Sequence, residues 1–290
     1  MTRKVKYEEF LCDLCGTDNA VEVPYARFYT GNQPVHICKS CGFVYVKLRR
    51  SASEIVATWT KDLYGEGYTA RIPAVKARQT YVAEFIDVNI GLKGKTLCDI
   101  GTGEGQFLEI VSKEEYGARV FGTEDSKTHC KKMTDLGIPH FQGTIEAFMS
   151  SSEIKKYKAD IVTVMWTLEN CRSCRDMLSG AFRVLKEGGH IIVATGSRIL
   201  VPFKKPLHLY FSKNPADTHA FRFSANTLQG ILAISGFEVT HVNSYIDSDA
   251  LCMIAQKKSK SQKISWKGDD FIKVHNFFER WHKENLFYRE

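Results

Sequence analysis

A doubly wound α/β sheet behind a small cysteine-rich module is the fold class that this 290-residue sequence predicts. Three observations predict it. The run Thr96-Leu-Cys-Asp-Ile100 is of buried-strand type and leads through Gly101-Thr-Gly103-Glu-Gly105 into a helical pattern from Gln106 to Val111. Ala159-Asp-Ile-Val-Thr-Val-Met-Trp166 is nearly continuously apolar, as expected of a strand covered on both faces. Ahead of both lie Cys12-x-x-Cys15 and Cys38-x-x-Cys41, two knuckle-spaced pairs.

The strand, Gly-rich turn and helix at 96–111 form a nucleotide-binding corner. Glycine lets the backbone turn sharply and approach a ligand, and the helix start presents unpaired N–H groups. A dinucleotide fingerprint places its third glycine one position later, where this chain has Gln106. Arg119-Val-Phe-Gly-Thr-Glu124 reads as a second strand ending in an acid about twenty residues past the loop, where a carboxylate can accept from both ribose hydroxyls of a nucleoside. Ser126 has N-cap chemistry for the helix that follows.

The form Gly101-x-Gly103-x-Gly105 resembles the cofactor loop of class I S-adenosylmethionine (SAM)-dependent methyltransferases, and Gly122-x-Glu124-x-Ser126 is similar to a stretch common in that family. The remaining pieces follow in the family's order. Pro139 to Glu146 resembles the third strand and adenine-contacting turn. Arg183 to Thr195 resembles a helix, double-Gly turn and fifth strand, and Ser224 to Phe237 a helix ending in Gly-Phe before the sixth. The resemblance covers about residues 75–256. It implies a Rossmann-like sheet of order 3-2-1-4-5-7-6, SAM as cofactor, and a cofactor site of Tyr64, Tyr68, Arg78, Asp99, Gly101, Thr102, Gly103, Glu124, Asp125, Thr144, Ile145 and Trp166. Arg71 and Arg78 are candidates to pair with the methionine carboxylate. Relatives often carry Glu-His where this chain has Glu169-Asn170, so a catalytic role given to that histidine does not transfer.

Cys12, Cys15, Cys38 and Cys41 offer four thiolates with the spacing of a tetrahedral zinc site, and Gly16 and Gly42 follow each pair where a knuckle turns. Disulfides are the competing reading, and they fit poorly beside a cytosolic cofactor. Four protein ligands leave no open position, so a structural Zn2+ is expected. A segment of about forty residues builds too little core alone, and a metal supplies folding free energy. A four-cysteine module before such a core resembles a subgroup that methylates sugars, often nucleotide-linked or bound for surface polysaccharide. Members acting on carbon carry a long further domain. The short chain after residue 256 therefore favours a hydroxyl or amine acceptor.

The boundaries expected are a zinc module at 1–50, a helical linker and lid at 51–74, the methyltransferase core at 75–257 and a basic amphipathic helix at 258–290. Net charge is +7, and the segment from Lys257 holds nine Lys/Arg against five Asp/Glu. Such a balance suits an anionic substrate, or RNA in the alternative that the chain methylates RNA or protein. Phe271, Phe277, Phe278 and Trp281 among those charges mark an amphipathic helix that packs on the core or on a second copy. No apolar run reaches membrane-spanning length and the start is not of secretory type, so a cytoplasmic protein is expected. A non-catalytic SAM-binding or zinc scaffold is the non-enzyme alternative, opposed by the intact glycines and Glu124. Cys171-x-x-Cys174 has no partner pair nearby and reads as packing, as do Cys98 and Cys252.

Ligands sit beyond the carboxyl ends of the strands in such a sheet. The segment Gly196 to Phe223 follows the fifth strand, is long for a connection and is rich in aromatic residues, so it is where the acceptor is expected. His219 is the first candidate base, because an unperturbed imidazole titrates near neutral pH. His208, Tyr210 and Glu169 are the reserves.

Overall fold

The computed structural model describes residues 7–51, 54, 72–202, 205–211, 219–244, 250–259 and 262–287. Most of the expected helical linker and lid at 51–74 falls outside them, Tyr64, Tyr68 and Arg71 included. The N-terminal part holds β1 (Tyr7–Glu9), β2 (Ala20–Glu22), α1 (Ala26–Tyr29), β3 (His36–Cys38), β4 (Val44–Tyr45) and β5 (Leu48–Arg50). Then come α2 (Ile72–Ile90), β6 (Thr96–Ile100), α3 (Gln106–Ser112), β7 (Arg119–Glu124), α4 (Lys127–Asp135), β8 (His140–Gln142) and α5 (Ile145–Ser150). The chain continues with β9 (Ala159–Met165), α6 (Cys174–Val184), β10 (Leu185–Thr195), α7 (Leu207–Phe211), β11 (Phe221–Arg222), α8 (Ala225–Ile234), β12 (Phe237–Val242), β13 (Leu251–Lys257) and α9 (Phe271–Phe287).

Seven strands form the central sheet in the order β12-β13-β10-β9-β6-β7-β8. Counted from β6 as the first strand, this is the 3-2-1-4-5-7-6 order expected from the sequence. β13 runs antiparallel to both of its neighbours, and the pairings among β10, β9, β6, β7 and β8 are parallel. The apolar runs divide between the two faces with period two. Val162, Val164, Ile191 and Val193 join one core, whereas Ile161, Met165, Ile192 and Ala194 join the other. That division is why these strands lack a polar face. The double-Gly turn at 188–189 is absorbed into β10 as a register break between Leu185 and His190.

A second sheet, β11-β4-β3-β2, joins the cysteine-rich part to the segment after β10: Phe221 pairs with Tyr45 and Arg222 with Val44. A third core lies beneath it. Tyr29, Ile37 and Val44 pack there with Leu207, Phe211, Phe278 and Trp281, so three distant stretches of chain share one apolar cluster. The basic C-terminal segment is therefore no free tail. Tyr29 Oη and His282 Nδ1 are 2.7 Å apart, and Asn285 Oδ1 accepts the Leu207 amide at 3.0 Å.

Candidate active site

The glycine turn after β6 is shaped by close approach on one side and by space on the other. Gly101 has φ +70°, and a Cβ there would sit 2.5 Å from Thr167 Cγ2. Gly103 has φ +59°, and a Cβ there would meet nothing within 4 Å. The backbone is thus packed at Gly101 and open at Gly103, as a loop that receives a ligand requires. Glu124, at the end of β7, braces the open side: Oε2 accepts the Gly103 amide at 2.9 Å and Oε1 the Ser126 amide at 2.9 Å. Asp99, the fourth residue of β6, is buried, and its Oδ1 accepts from Thr163 Oγ1 at 2.6 Å. Burial pushes its carboxyl up to about 7, against the lowering effect of the Thr163 and Thr102 hydroxyls.

Around this turn the other expected cofactor residues occupy different positions. Thr102 is buried behind Gly122, where a Cβ would strike Thr102 Cγ2 at 2.7 Å. Asp125 is half-buried, and burial raises its carboxyl, followed by the charges of Glu124 and Glu146. Thr144 caps α5 by accepting the Ala147 amide, and the Ile145 side chain is committed to the core against Gly180. Trp166, just past β9, takes the left-handed conformation at φ 51°, and its buried Nε1 has no partner. The Arg78 guanidinium stands 5.2 Å from the Trp166 ring centroid.

Glu169 and the segment after β10 make the other half. Glu169 is 1% exposed on a 3-10 turn, Leu168–Asn170. Its Oε1 accepts the Gly196 amide at 3.2 Å, and its buried Oε2 has no partner. Desolvation pushes this carboxyl up to about 7. His219 Nδ1 is hydrogen-bonded to Ser197 Oγ. Burial, then the nearby charges of Arg222 and Lys205, holds the imidazole down to about 3, so it is neutral at physiological pH rather than titrating there. Tyr210 Oη donates to the Arg198 carbonyl at 3.3 Å, and burial keeps its phenol protonated. His208 lies two residues earlier on α7 with a buried, unpartnered Nδ1.

The four cysteines meet as their spacing requires. Their Sγ atoms all lie within 4.8 Å of one another, with Cys12–Cys41 at 3.6 Å and Cys15–Cys38 at 3.4 Å. A zinc–thiolate tetrahedron with bonds of about 2.3 Å has edges near 3.8 Å, so the donor set fits that ion. The Gly16 and Gly42 amides donate to the Cys12 and Cys38 carbonyls at 2.8 Å, closing two knuckles. By contrast Cys171 and Cys174 are unbridged. The Cys171 thiol donates to the Leu168 carbonyl, and burial raises both thiols well above their ordinary value, which leaves them inert.

Sequence reasoning missed the buried Arg49–Asp13 pair, in which Arg49 also donates to the Val46 carbonyl at 2.7 Å, and it missed Arg222. Arg222 carried a signal: a charge between Phe221 and Phe223 in a short strand faces away from both aromatics.

A family model described as a methyltransferase domain matches residues 75–242, more than half of the chain, and the chain belongs to that family. Its fold is that of class I SAM-dependent methyltransferases. Among curated proteins it is similar to the ubiquinone biosynthesis O-methyltransferase of Vibrio cholerae, 30% identical over 128 residues, 42% of this chain and 49% of that one. The enzyme of the same name from Coxiella burnetii is 29% identical over 122 residues, 40% of this chain and 49% of that one. The chain thus spans about half the length of these relatives. Among solved structures, a SAM-dependent methyltransferase of Thermotoga maritima matches with a TM-score of 0.52 at 20% identity, over 70% of this chain and 100% of that one. The 1,6-didemethyltoxoflavin-N1-methyltransferase of Burkholderia thailandensis matches with a TM-score of 0.53 at 14% identity, over 75% and 96%. At these identities the structural likeness speaks to the fold.

Proposed function

We infer that this enzyme methylates a hydroxyl or amine of a small molecule, a sugar or nucleotide-linked sugar, and that the observation carrying the reading is the braced glycine turn with open space at Gly103. SAM brings a methyl group on a sulfonium that is already activated for displacement. The protein's work is to hold, orient and exclude water. Gly101, Thr102 and Gly103 form the floor of the cofactor site, and Glu124 accepts the ribose hydroxyls through lone pairs not used by the Gly103 and Ser126 amides. Arg78 meets the methionine carboxylate, and Trp166 walls the same end.

The acceptor lies against Glu169, His219 and Tyr210. A base matched to neutral pH is the most effective one, and Glu169, raised to about 7 with a free buried Oε2, fits that requirement better than His219. His219, held neutral, and the protonated Tyr210 orient the acceptor by hydrogen bonds. Oxygen as the methylated atom is favoured by the names of the curated relatives. The sugar class rests on the pairing of this core with a four-cysteine module. Cys12, Cys15, Cys38 and Cys41 hold a structural zinc in a module at 1–50 that buttresses the acceptor side through the β4–β11 pairing.

The test is to incubate the purified protein with SAM and a panel of neutral, acidic and nucleotide-linked sugars and read product masses. A gain of one methylene on a sugar, abolished in Glu124→Ala, is the expected result. Turnover on none of them, with SAM bound normally, would remove the sugar class and leave the cofactor site standing.

A further inference from the structure

Arg222 is 1% exposed and heads the largest fully buried side chains among the described residues. Its Nη1 donates to the His219 carbonyl at 3.0 Å. Its Nε and Nη2, each completely removed from solvent, have no hydrogen-bond partner. Those two nitrogens lie on one edge of the guanidinium and form the fork that matches two oxygens of a carboxylate or phosphate. The group's orientation is fixed, because its Cζ lies 4.6 Å from the Phe211 ring centroid and 5.5 Å from that of Tyr210.

Such an arrangement is costly for folding alone. A buried charge is normally paired, and leaving one without a counter-ion is strongly unfavourable. The other buried arginine of this region shows the ordinary solution: Arg49 meets the Asp13 carboxylate and two backbone carbonyls. No described carboxylate forms an ion pair with Arg222. Of the described groups packed around it, His219 is neutral, Tyr210 is protonated and the Lys205 ammonium stands 5.7 Å from the Tyr210 ring; the Glu169 carboxyl, within electrostatic reach of Tyr210, forms no ion pair with Arg222. The unpartnered edge sits on β11, in the acceptor half, two residues from Ser224, which caps α8.

We propose that Arg222 is a specificity-determining residue: its Nε–Nη2 edge binds an oxyanion, a carboxylate or phosphate carried by the methyl acceptor. The proposal deepens the function inferred above and rests on it for the identity of the acceptor side. The acceptor is then an acidic molecule, a sugar acid or sugar phosphate, and a neutral sugar is discriminated against because it would leave the cation buried and unpaired.

The test uses the full chain, zinc-loaded, saturated with S-adenosylhomocysteine and labelled with 15N in arginine side chains. The Arg222 Nε–H resonance is assigned by its absence in Arg222→Met. Sodium acetate and sodium phosphate are titrated separately, with sodium chloride as the ionic-strength control. The expected result is a saturable shift of the Arg222 signal with one of the two oxyanions, which tells carboxylate from phosphate, and none with chloride. Arg222→Met is expected to keep the SAM affinity of the wild type, to melt no lower than it, and to weaken binding of a hexuronate or hexose phosphate about ten- to hundredfold, the range of a charge-assisted pair. Three outcomes overturn the proposal. One is no saturable shift with either oxyanion. Another is a tenfold loss of SAM affinity in Arg222→Met, which would give the guanidinium to the cofactor. The third is failure of both Arg222→Met and Arg222→Gln to fold, which would make the residue structural. The resonance is read without turnover, so failure of the sugar reading, seen as no methyl transfer, is distinct from failure of the anion site.

Discussion

Replacing Glu169 by glutamine keeps the shape of the side chain and removes its titration. The residue is 1% exposed, and burial pushes its carboxyl from 4.5 up to about 7. A folded-state pKa raised above the unfolded one has a fixed sign. The stability associated with the group is complete below about pH 4.5, and it is lost as pH rises through 7. Over that span, at about 1.36 kcal/mol per pH unit, the wild type gives up about 3 kcal/mol that Glu169→Gln keeps. Urea denaturation of both proteins, followed by circular dichroism from about pH 5 to about pH 8.5, should show the variant gaining on the wild type by most of that amount. Asp99 also titrates near 7, but it is present in both proteins and cancels in the difference. In turnover, the wild-type rate should climb with a midpoint near pH 7. The variant should lose that limb and fall by about 10²–10⁴ in kcat. A stability difference that stays flat across pH would refute the burial argument. A normal pH–rate profile in folded Glu169→Gln would refute the base.

Gly103→Val should weaken SAM binding at least about tenfold by calorimetric titration while costing about 1–2 kcal/mol in stability, since its side chain enters open space at a strained φ. Glu124→Ala should lose affinity to a similar degree, and unchanged affinity in the folded variant would remove Glu124 from the site. Cys38→Ser should abolish the one zinc per chain that metal analysis is expected to find and end methyl transfer, with SAM affinity nearly intact. Zinc retained by the variant would dismiss the assignment. His219→Ala should lower kcat about tenfold without changing the shape of the pH–rate profile, because the wild-type imidazole is already neutral. Loss of a limb in that variant alone would show that His219 titrates in the working range.

The sheet was legible because its signals are local. The apolar run at 159–166 and the turn at 101–105 state their environment within a few residues, and the family order of the pieces supplied the strand order. The cysteine cluster was legible for the same reason, since knuckle spacing fixes which thiols meet. What escaped is what distant chain decides. β11 is two residues long and has no periodicity to read, so its pairing with β4 is visible only in three dimensions. The pattern at 271–287 suits packing on its own chain or on a second copy equally, and only the fold, with Tyr25 stacked on His282 at 3.7 Å, decides for the chain itself. The sequence supplies an imidazole at 219, but its neutrality comes from burial by other elements and then from the charges of Arg222 and Lys205.

The pairing of Tyr45 with Phe221 also sets an order of events during synthesis. The four-cysteine part leaves the ribosome before the strand that completes its sheet has been translated. At about 5–20 residues per second, that strand follows some 10–35 s later. During the interval the edge of β4 lacks its neighbour, and the apolar surface of Tyr29 and Ile37 waits for the helix at 271–287. A metal captured early would hold the nascent knuckles in register through this wait. Zinc supply during translation would then limit the yield of native enzyme more sharply than zinc removal limits the finished one.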